Sequence, residues 1–324
     1  MHWLSSRTSK PRWPAGLAEF TPIAGTGEAQ PAPWPDRHNS PNLAGQLRQS
    51  QIDLVICSAL DSEPGLRLNA AVAARRADFV AKGIQELLNR TKARRACIVV
   101  ESRAPREWIN PIRAAAGGAA IIQLPNDYPQ SDPTMLLHTV ARRDLKPGEL
   151  PSDHGVVLVD AAGAATVGGL PPVPLGILDH ATGQAFYLEA APGMKLAAAL
   201  SVAGIQSKLR DTRAGDLLRQ RAAVLDQPVG IGELCLHLLT PVEPAEVEAC
   251  IRCGWCADVC PTLVKPAWIL EAAQRGDRRL AHSGRAEACI ECGLCDEVCP
   301  AHLPLLGAIR RFKSGNTYSK SIPS

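Results

Sequence analysis

The cysteines near the C-terminus constrain this chain more than any other feature. Eight of the eleven cysteines form two runs of identical spacing, Cys250-x2-Cys253-x2-Cys256-x3-Cys260-Pro261 and Cys289-x2-Cys292-x2-Cys295-x3-Cys299-Pro300. The second run follows the first at an offset of 39 residues, and ten of the fourteen positions starting at Glu248 and at Glu287 are identical. The chain therefore contains an internal duplication built around two sets of thiols.

This spacing predicts two [4Fe–4S] clusters. Three thiolates at three-residue intervals ligate one cluster, and the fourth cysteine of the run, followed by proline, ligates the other cluster. Gly254 and Gly293 lie between the second and third ligands, where a Cβ would crowd the cluster. The predicted ligand sets are crossed: Cys250, Cys253, Cys256 and Cys299 for one cluster, and Cys289, Cys292, Cys295 and Cys260 for the other.

Zinc and disulfides are the alternatives for such a pattern. Zinc sites combine a C-x2-C pair with a distant second pair and do not need a third cysteine three residues on. Disulfides require an oxidising compartment and gain nothing from such tight triplets. Iron–sulfur ligation is favoured over both, and two clusters with crossed ligands indicate a relay of single electrons between redox partner proteins.

Charge and hydropathy exclude several other classes of protein. The 35 basic and 32 acidic residues give a net charge of +3, and no basic block with interleaved aromatic residues predicts nucleic-acid binding. The N-terminus lacks a basic start followed by an apolar stretch, and no apolar run is long enough to predict a transmembrane segment. Thiolate ligands need a reducing compartment, so we expect a cytoplasmic protein, with peripheral association with a membrane complex left open.

Strand and helix patterns alternate after residue 50. Short apolar runs predict buried strands, and apolar residues at helical spacing follow each of them. This alternation predicts an α/β Rossmann-like domain over residues 51–145, with a parallel sheet and helices packed against it. Cys57 and Cys97 fall in strands and are interpreted as small core residues. The predicted strands are 52–59, 96–101 and 119–124, and the predicted helices are 66–90, 105–115 and 133–142.

Pro147, Gly148 and Pro151 predict a domain boundary. Residues 151–240 are then a small α+β domain, in which Cys235 is interpreted as another core residue. Its predicted elements are a strand at 155–160, a hairpin at 176–188 that turns at 181–183, a helix at 194–203 and further strand within 222–239.

The remaining segments complete the predicted domain organisation. Residues 244–312 are expected to form a mostly α-helical dicluster ferredoxin domain with helices at 266–274, 278–287 and 305–312. Residues 1–50 are rich in proline and are expected to be an irregular arm. Residues 313–324 are expected to be a polar tail.

With its parts in this order, the chain resembles the C subunit of the Rnf electron-transport complex and its relatives, which include cobalamin-reductase proteins of microcompartments. The firmest match is Cys250-Ile-Arg-Cys253-Gly-Trp-Cys256-Ala-Asp-Val-Cys260-Pro261. Further matches are 54–56 followed by Ser62-Glu63-Pro64, the Tyr128-Pro129-Gln130 step, and 150–157. The resemblance covers residues 50–312. It implies a domain like the flavin-bearing subunit of complex I, a β-grasp domain of the soluble-ligand-binding (SLBB) type and a dicluster ferredoxin module, all within a larger complex.

The same resemblance raises the question of FMN. Family members that bind flavin and NADH carry a glycine-rich loop before the first strand, where this chain has only Gly16, Gly25 and Gly27 among prolines. Backbone amides cradle a phosphate only where the chain can approach it closely. Ser62 replaces a family cysteine. Glu63 matches a family position near the flavin ring, although a single Glu after a strand is also typical of a helix-capping or surface residue.

Three hypotheses follow for the function. The first is an electron conduit without flavin, and the second is an NADH-dependent flavoenzyme in which FMN takes a hydride and electrons leave through the clusters. The third is a structural protein whose clusters only stabilise the fold. The shortened glycine loop favours the conduit, and the duplicated ligand set disfavours a purely structural role, because one metal site would serve for structure.

The two cysteine runs differ in charge. The first run contains Arg252 and Ala257, whereas the second contains Glu291, Asp296 and Glu297. Because negative charge disfavours adding an electron, we expect the lower reduction potential for the cluster of Cys289, Cys292 and Cys295. Solvent screening of these side chains, which would leave little difference, is the alternative.

Overall fold

The computed structural model describes residues 20–23, 42–48, 51–171, 173–191, 193–205, 211–215, 221–229, 235–240 and 245–314. The chain divides into two compact units, Pro11–Pro241 and Val242–Ser324 together with Met1–Lys10. In the part of the chain that the structure describes, none of the helices is both long and apolar enough to cross a bilayer.

A four-stranded parallel sheet forms the first half of the Pro11–Pro241 unit. Its strands are β2 (Leu54–Ser58), β3 (Arg95–Glu101), β4 (Ala120–Leu124) and β5 (Val156–Asp160), in the order β4-β3-β2-β5. Strands of this kind, rich in Val, Ile and Leu, are typical of sheets covered on both faces. The predicted α/β arrangement with a parallel sheet is therefore confirmed.

Helices cover both faces of this sheet. On one face, Val55, Cys57 and Val157 pack into a core with the longer helices, and on the other face Ile56, Cys97 and their neighbours pack against the segment that follows β4. Alternate residues of one strand thus enter different cores, as the two-residue repeat of a strand requires. The helices of this half are α1 (Leu43–Gln46), α2 (Leu68–Arg75), α3 (Ala77–Thr91), α4 (Arg106–Ala115), α5 (Pro133–Leu136) and α6 (Ala161–Val167), with a π-helical turn at Leu137–Ala141 and a 3-10 turn at Pro151–His154.

A side chain forms hydrogen bonds with the outer edge of β5. Gln46 is fully buried, and its Oε1 accepts a hydrogen bond from the Leu158 amide at 2.9 Å while its Nε2 donates to the Leu158 carbonyl at 3.4 Å. The carboxamide therefore satisfies backbone groups that a neighbouring strand would otherwise pair.

The position of β5 corrects the predicted domain boundary. The boundary was expected at residues 145–151, which would have placed β5 in the second domain. Instead β5 pairs in parallel with β2 along its whole length, and α6 packs on α3. The Pro-Gly-Pro signals mark a local turn, whereas membership of a sheet depends on long-range pairing that no local pattern reveals.

A six-stranded mixed sheet forms the second half of the same unit. Its strand order is β1-β7-β6-β10-β8-β9, and its core contains Leu175, Ile177, Leu196 and Leu236. The predicted hairpin and helix are confirmed. Of the strand predicted at 222–239, the described residues contain the end of β9 at residue 222 and β10 at 235–239, and 230–234 lie outside the described residues. The elements are β1 (Thr21–Ile23), β6 (Val173–Asp179), β7 (Gln184–Ala190), α7 (Leu196–Val202), β8 (Asp211–Ala214), β9 (Arg221–Ala222) and β10 (Cys235–Leu239). Its assignment as an SLBB-like β-grasp domain stays a prediction.

The predicted irregular arm contributes to this second sheet. Within residues 1–50 the structure describes β1, which pairs in parallel with Leu188–Ala190 of β7, and α1, which packs near β5. The prediction of an irregular segment is therefore wrong for these residues, and the rest of the arm lies outside the described residues. Of the predicted tail, only residues 313 and 314 are described.

The helix predicted at 66–90 is two helices. The chain breaks at Arg76, whose φ of −122° and ψ of 35° are not helical. Its guanidinium forms two hydrogen bonds of 2.7 Å with the carboxylate of Glu189 in β7. The break between α2 and α3 therefore places the Arg76 side chain where its ion pair joins these helices to the second sheet.

The Val242–Ser324 unit is helical in its described part. A small core of Val264, Ile269, Ile309 and Phe312 lies between its longer helices. Its helices are α8 (Trp255–Asp258), α9 (Pro266–Arg275), α10 (Arg278–Ser283), α11 (Leu294–Glu297) and α12 (Leu305–Lys313), with a 3-10 turn at Ala286–Ala288. The helix predicted at 278–287 thus ends at Ser283, and the predicted helical character of this region is confirmed.

Glycine allows α3 and α6 to approach closely. A methyl group at Gly83 would overlap the backbone oxygen of Ala164, and one at Gly168 would overlap that of Phe79. We therefore predict that Gly83→Ala lowers the free energy of unfolding by about 1–3 kcal/mol, because the helices must separate. Equilibrium denaturation of the full chain, followed by circular dichroism, measures this change.

Gly307→Ala in α12 is the matched control. A methyl group there would come no closer than 3.9 Å to Pro304. The substitution therefore only reduces the conformational freedom that glycine gives the unfolded chain. It should stabilise the protein by about 0.5–1 kcal/mol. Equal effects of the two substitutions would contradict the close approach of the helices.

Candidate iron–sulfur site

The two cysteine runs fold with the same backbone. Helices α8 and α11 begin 39 residues apart, as do α9 and α12. Two positions in each run, and one position just after it, adopt left-handed φ angles, which non-glycine residues rarely do. These pairs are Arg252 (54°) and Glu291 (58°), Gly254 (86°) and Gly293 (70°), and Leu263 (57°) and His302 (49°). The duplication read from the sequence is therefore also a duplication of shape.

One quartet of thiols contains cysteines from both runs. Burial raises the pKa of the Cys256 thiol, and the thiols of Cys253, Cys299 and Cys250 raise it further by electrostatic repulsion of its anion. Three of these cysteines belong to the first run and Cys299 belongs to the second. The structure thus brings together the first predicted ligand set.

The second quartet is arranged in the reciprocal way. Burial raises the pKa of Cys295, and Asp296, Cys289, Cys292 and Cys260 add to the shift. Cys260, Cys289, Cys292 and Cys295 also line one recess, together with apolar side chains that include Val264 and Ile309. The fourth member, Cys260, comes from the first run.

These surroundings fit [4Fe–4S] clusters. Each quartet offers four sulfur atoms and no histidine, which is the ligand set of such a cluster. Protonation relieves the repulsion between neighbouring sulfurs while a quartet is empty, and the positive charge of iron holds coordinating thiols deprotonated when a cluster is bound. The assignment of individual ligands stays a prediction.

Backbone amides point at several of the sulfurs. The Val264 amide donates to Cys260 Sγ at 3.3 Å, and the Glu291 amide donates to Cys289 Sγ at 3.3 Å. The Ala267 amide, in the first turn of α9, donates to Cys256. Hydrogen bonds to ligating sulfur stabilise added negative charge and raise the reduction potential of a cluster.

The repeat is broken at one of these amides. Leu306 occupies the position in α12 that Ala267 occupies in α9, but its amide donates to Asp296 Oδ1 at 2.8 Å instead of to a cysteine. Asp296 stands where the first run has Ala257. The second quartet therefore has a carboxylate beside it and lacks one amide donor.

Glu291 contributes less charge than the sequence indicated. Its Oε2 lies 2.9 Å from Arg310 Nε, and its Oε1 lies 2.7 Å from Lys313 Nζ. These cations offset its negative charge, and Glu297 has an acidic counterpart, Asp258, at the same position of the first run. The expected difference in potential therefore depends mainly on Asp296. Sequence analysis missed both cations, because they are supplied by α12 some twenty residues further along the chain.

The two quartets differ in exposure. Cys250 and Cys253 are exposed, whereas Cys295 is buried, and the other five cysteines of the runs are intermediate. The exposed part of the first run also carries Ile251 and Trp255, which are 68% and 57% exposed. A protein partner can therefore approach the first quartet more closely than the second.

The residue predicted to lie near a flavin is not presented to an open cleft. Glu63 is 3% exposed, and its Oε2 lies 3.5 Å from Nε2 of His237. The interpretation of Glu63 as a surface residue is therefore wrong. The glycines of the shortened loop lie outside the described residues, where the structure gives no test of a phosphate cradle.

Two family models match the chain. Residues 42–168 match the model described as the Nuo51 FMN-binding domain, and residues 246–303 match the model described as the 4Fe-4S dicluster domain. The second match confirms the predicted iron–sulfur cofactors. The first match is an argument for FMN.

Several curated proteins are similar to this chain. The C subunit of the ion-translocating oxidoreductase complex of Haemophilus influenzae (strain PittEE) is 28% identical over 284 residues, which are 83% of this chain and 44% of that protein. The C subunit of the proton-translocating ferredoxin:NAD(+) oxidoreductase complex of Clostridium ljungdahlii is 25% identical over 69% of this chain and 52% of its own length. The Na(+)-translocating counterpart of Acetobacterium woodii is 27% identical over 69% of this chain and 54% of its length. The chain spans about half, or less, of these relatives.

A solved structure shares the fold. The crystal structure of NAD+-reducing [NiFe]-hydrogenase in the H2-reduced state aligns with a TM-score of 0.51 at 14% identity, over 84% of this chain and 57% of that one. The two family models and the named relatives confirm the resemblance inferred from the cysteine runs, and the solved structure shows a similar fold.

Crossed ligation makes a prediction for single cysteine variants. If Cys299 serves the first quartet, Cys299→Ser should damage the same cluster as Cys253→Ser, and Cys260→Ser should damage the same cluster as Cys292→Ser. Each variant should retain about four irons, because one intact cluster remains. Electron paramagnetic resonance of the reduced proteins identifies which cluster is left.

Uncrossed ligation would give the opposite pairs. Cys299→Ser would then share its spectrum with Cys292→Ser, and that result would contradict the proposed ligand sets. Cys57→Ser, in a strand of the other unit, is the control and should keep both signals.

Asp296 provides a separate prediction. Asp296→Asn should raise the potential of the second cluster by roughly 100 mV, because a unit charge at close range in a medium of effective dielectric constant about 20 contributes a few kcal/mol. Glu291→Gln should change the potential less, because the Glu291 carboxylate contacts Arg310 and Lys313, whereas Asp296 Oδ1 lies 3.8 Å from Cys295 Sγ. Potentiometric titration of the full chain compares the two, and a larger shift for Glu291→Gln would contradict this account.

Proposed function

Since this chain is a relative of the C subunits of ion-translocating oxidoreductase complexes, we propose that it is an iron–sulfur electron-transfer protein that exchanges single electrons between two redox partner proteins. Each bound [4Fe–4S] cluster supplies one-electron redox chemistry. The chain supplies the ligands, the spacing between the two sites and a surface for a partner. Like the relatives, whose names describe subunits of a complex, it would act within a larger assembly.

The observation that carries the proposal is the interleaving of the two quartets. Cys256 lies in α8 and Cys260 lies two residues after that helix ends, yet the two belong to different quartets; Cys295 in α11 and Cys299 repeat this arrangement. Four residues of chain reach at most about 14 Å, so each short segment holds the two sites close together. Two sites placed so near each other suit electron exchange better than a purely structural role.

The surroundings of the two quartets indicate which of them lies closer to a redox partner. The first quartet is the more exposed and has apolar neighbours, whereas the second is enclosed by α9 and α12. Exposed aromatic and aliphatic side chains are typical of protein-binding surfaces. We therefore place the contact with a redox partner at the first quartet, beside Ile251 and Trp255.

The NADH-dependent flavoenzyme is the second candidate. The match of residues 42–168 to the Nuo51 FMN-binding domain favours it. The burial of Glu63 against His237 and the sparse glycines of the arm argue for the conduit.

Cofactor analysis of one anaerobic preparation separates these functions. We expect about eight irons and eight sulfides per chain, no stoichiometric flavin, and reversible uptake of about two electrons in a coulometric titration. A Cys253→Ser/Cys292→Ser double variant should lose this redox capacity and serves as the control. Stoichiometric FMN together with bleaching of the clusters by NADH would favour the flavoenzyme, and a colourless protein loaded with zinc would contradict both.

A further inference from the structure

Three side chains that commonly bind metals meet inside the Pro11–Pro241 unit. Glu63, Cys235 and His237 are 3%, 5% and 0% exposed, and one donor atom from each lies within 4.8 Å of the other two. None of them belongs to the two cysteine runs. Glu63 follows β2 in the first sheet, whereas Cys235 and His237 lie on β10 of the second sheet.

The separations match the edges of a tetrahedral metal site. Cys235 Sγ lies 3.4 Å from His237 Nε2, and His237 Nε2 lies 3.5 Å from Glu63 Oε2. Zinc binds sulfur at about 2.3 Å and nitrogen or oxygen at about 2.0–2.2 Å, and tetrahedral angles then place neighbouring ligand atoms about 3.3–3.6 Å apart. Both measured distances fall in this range.

We propose that Glu63, Cys235 and His237 form a binding site for one Zn²⁺ ion, separate from the iron–sulfur sites. A thiolate, an imidazole and a carboxylate are all ligands of zinc in proteins. Their burial keeps bulk solvent away from the ion.

A second histidine orients the first. His180 Nε2 lies 2.9 Å from His237 Nδ1, so His237 can donate its Nδ1 proton to His180 while Nε2 binds the ion. Such an outer partner fixes the tautomer of a ligating histidine. The Gly215 carbonyl oxygen lies 2.9 Å from the same Nε2, closer than the edge of a tetrahedral site, so it can accept the Nε2 proton when no ion is bound, and water supplies the fourth ligand.

The bound ion would join two sheets. The loop from Glu63 already contacts the second sheet, since the Arg67 amide donates to Tyr187 Oη at 3.0 Å and Gly65 lies against Leu178. Metal ligands from both sheets would fix this contact and stabilise the folded unit. The ion therefore has a structural role here, and its removal leaves the iron–sulfur ligands unchanged.

Zinc titration of the full chain tests the site. The anaerobically purified protein, with its clusters, is freed of loosely bound metal by a chelator, titrated with ZnCl2 and analysed for zinc and iron. We expect one zinc per chain in addition to about eight irons, and a higher melting temperature with zinc. X-ray absorption at the zinc edge, which iron does not disturb, should show one sulfur and two or three nitrogen or oxygen ligands.

Two near-isosteric variants and a control sharpen the result. Glu63→Gln and Cys235→Ser should each weaken zinc binding at least tenfold and remove the zinc-dependent rise in melting temperature. Cys97→Ser, a buried cysteine in β3 of the first sheet, should bind zinc like the unaltered protein.

Three results would overturn the proposal. The first is that the protein does not bind zinc at stoichiometric concentration. The second is a zinc shell made only of sulfur, because that shell places the ion in the cysteine runs. The third is that Cys235→Ser binds zinc as tightly as the unaltered protein. If a variant fails to fold, the ligand shell of the unaltered protein decides the question alone. The iron count is independent of all three results, so failure of this site and failure of the iron–sulfur function are distinguishable.

Discussion

The C-terminal unit depends on thiols from one half of a repeat meeting a thiol from the other half. Its apolar core is small, with a few side chains such as Ile269, Ile309 and Phe312 between short helices. Units with so little apolar burial need metals or other covalent links to be stable. Since the thiols of each quartet lie together, cluster ligation is the interaction that we expect to fix both the fold of this unit and the closeness of its two redox sites.

The Pro11–Pro241 unit is built differently, because its two sheets have their own cores and meet through both apolar and polar contacts. The ring of Tyr187 in β7 packs against the apolar cluster around Trp108, and its hydroxyl accepts a hydrogen bond from the Arg67 amide. Arg76 reaches Glu189 across the junction, and Glu63 meets His237 there. Charged and polar groups thus add specific contacts to the apolar packing between the sheets.

Features with local causes were predictable from the sequence, and those with long-range causes were not. The spacing of the cysteines indicated both quartets, and the apolar runs indicated β2, β3 and β4 within a residue or two of their observed ends. The membership of β5 in the first sheet depends on pairing with a strand about a hundred residues earlier. Glu63 and His237 are separated by an even longer stretch of chain, so no spacing rule connects them. The amides of Ala267 and Leu306 were within reach of sequence analysis, because the 39-residue repeat relates them directly.

The carboxamide of Gln46 has a consequence for how this protein behaves among copies of itself. A strand with free backbone groups at the rim of a sheet invites a strand of another molecule to add to it. Here the short helix α1 places the Gln46 carboxamide against Leu158, where it forms the two backbone hydrogen bonds that an added strand would form with this residue. The parallel sheet is thereby terminated on that side, and a solution of this protein is guarded against edge-to-edge aggregation through β5.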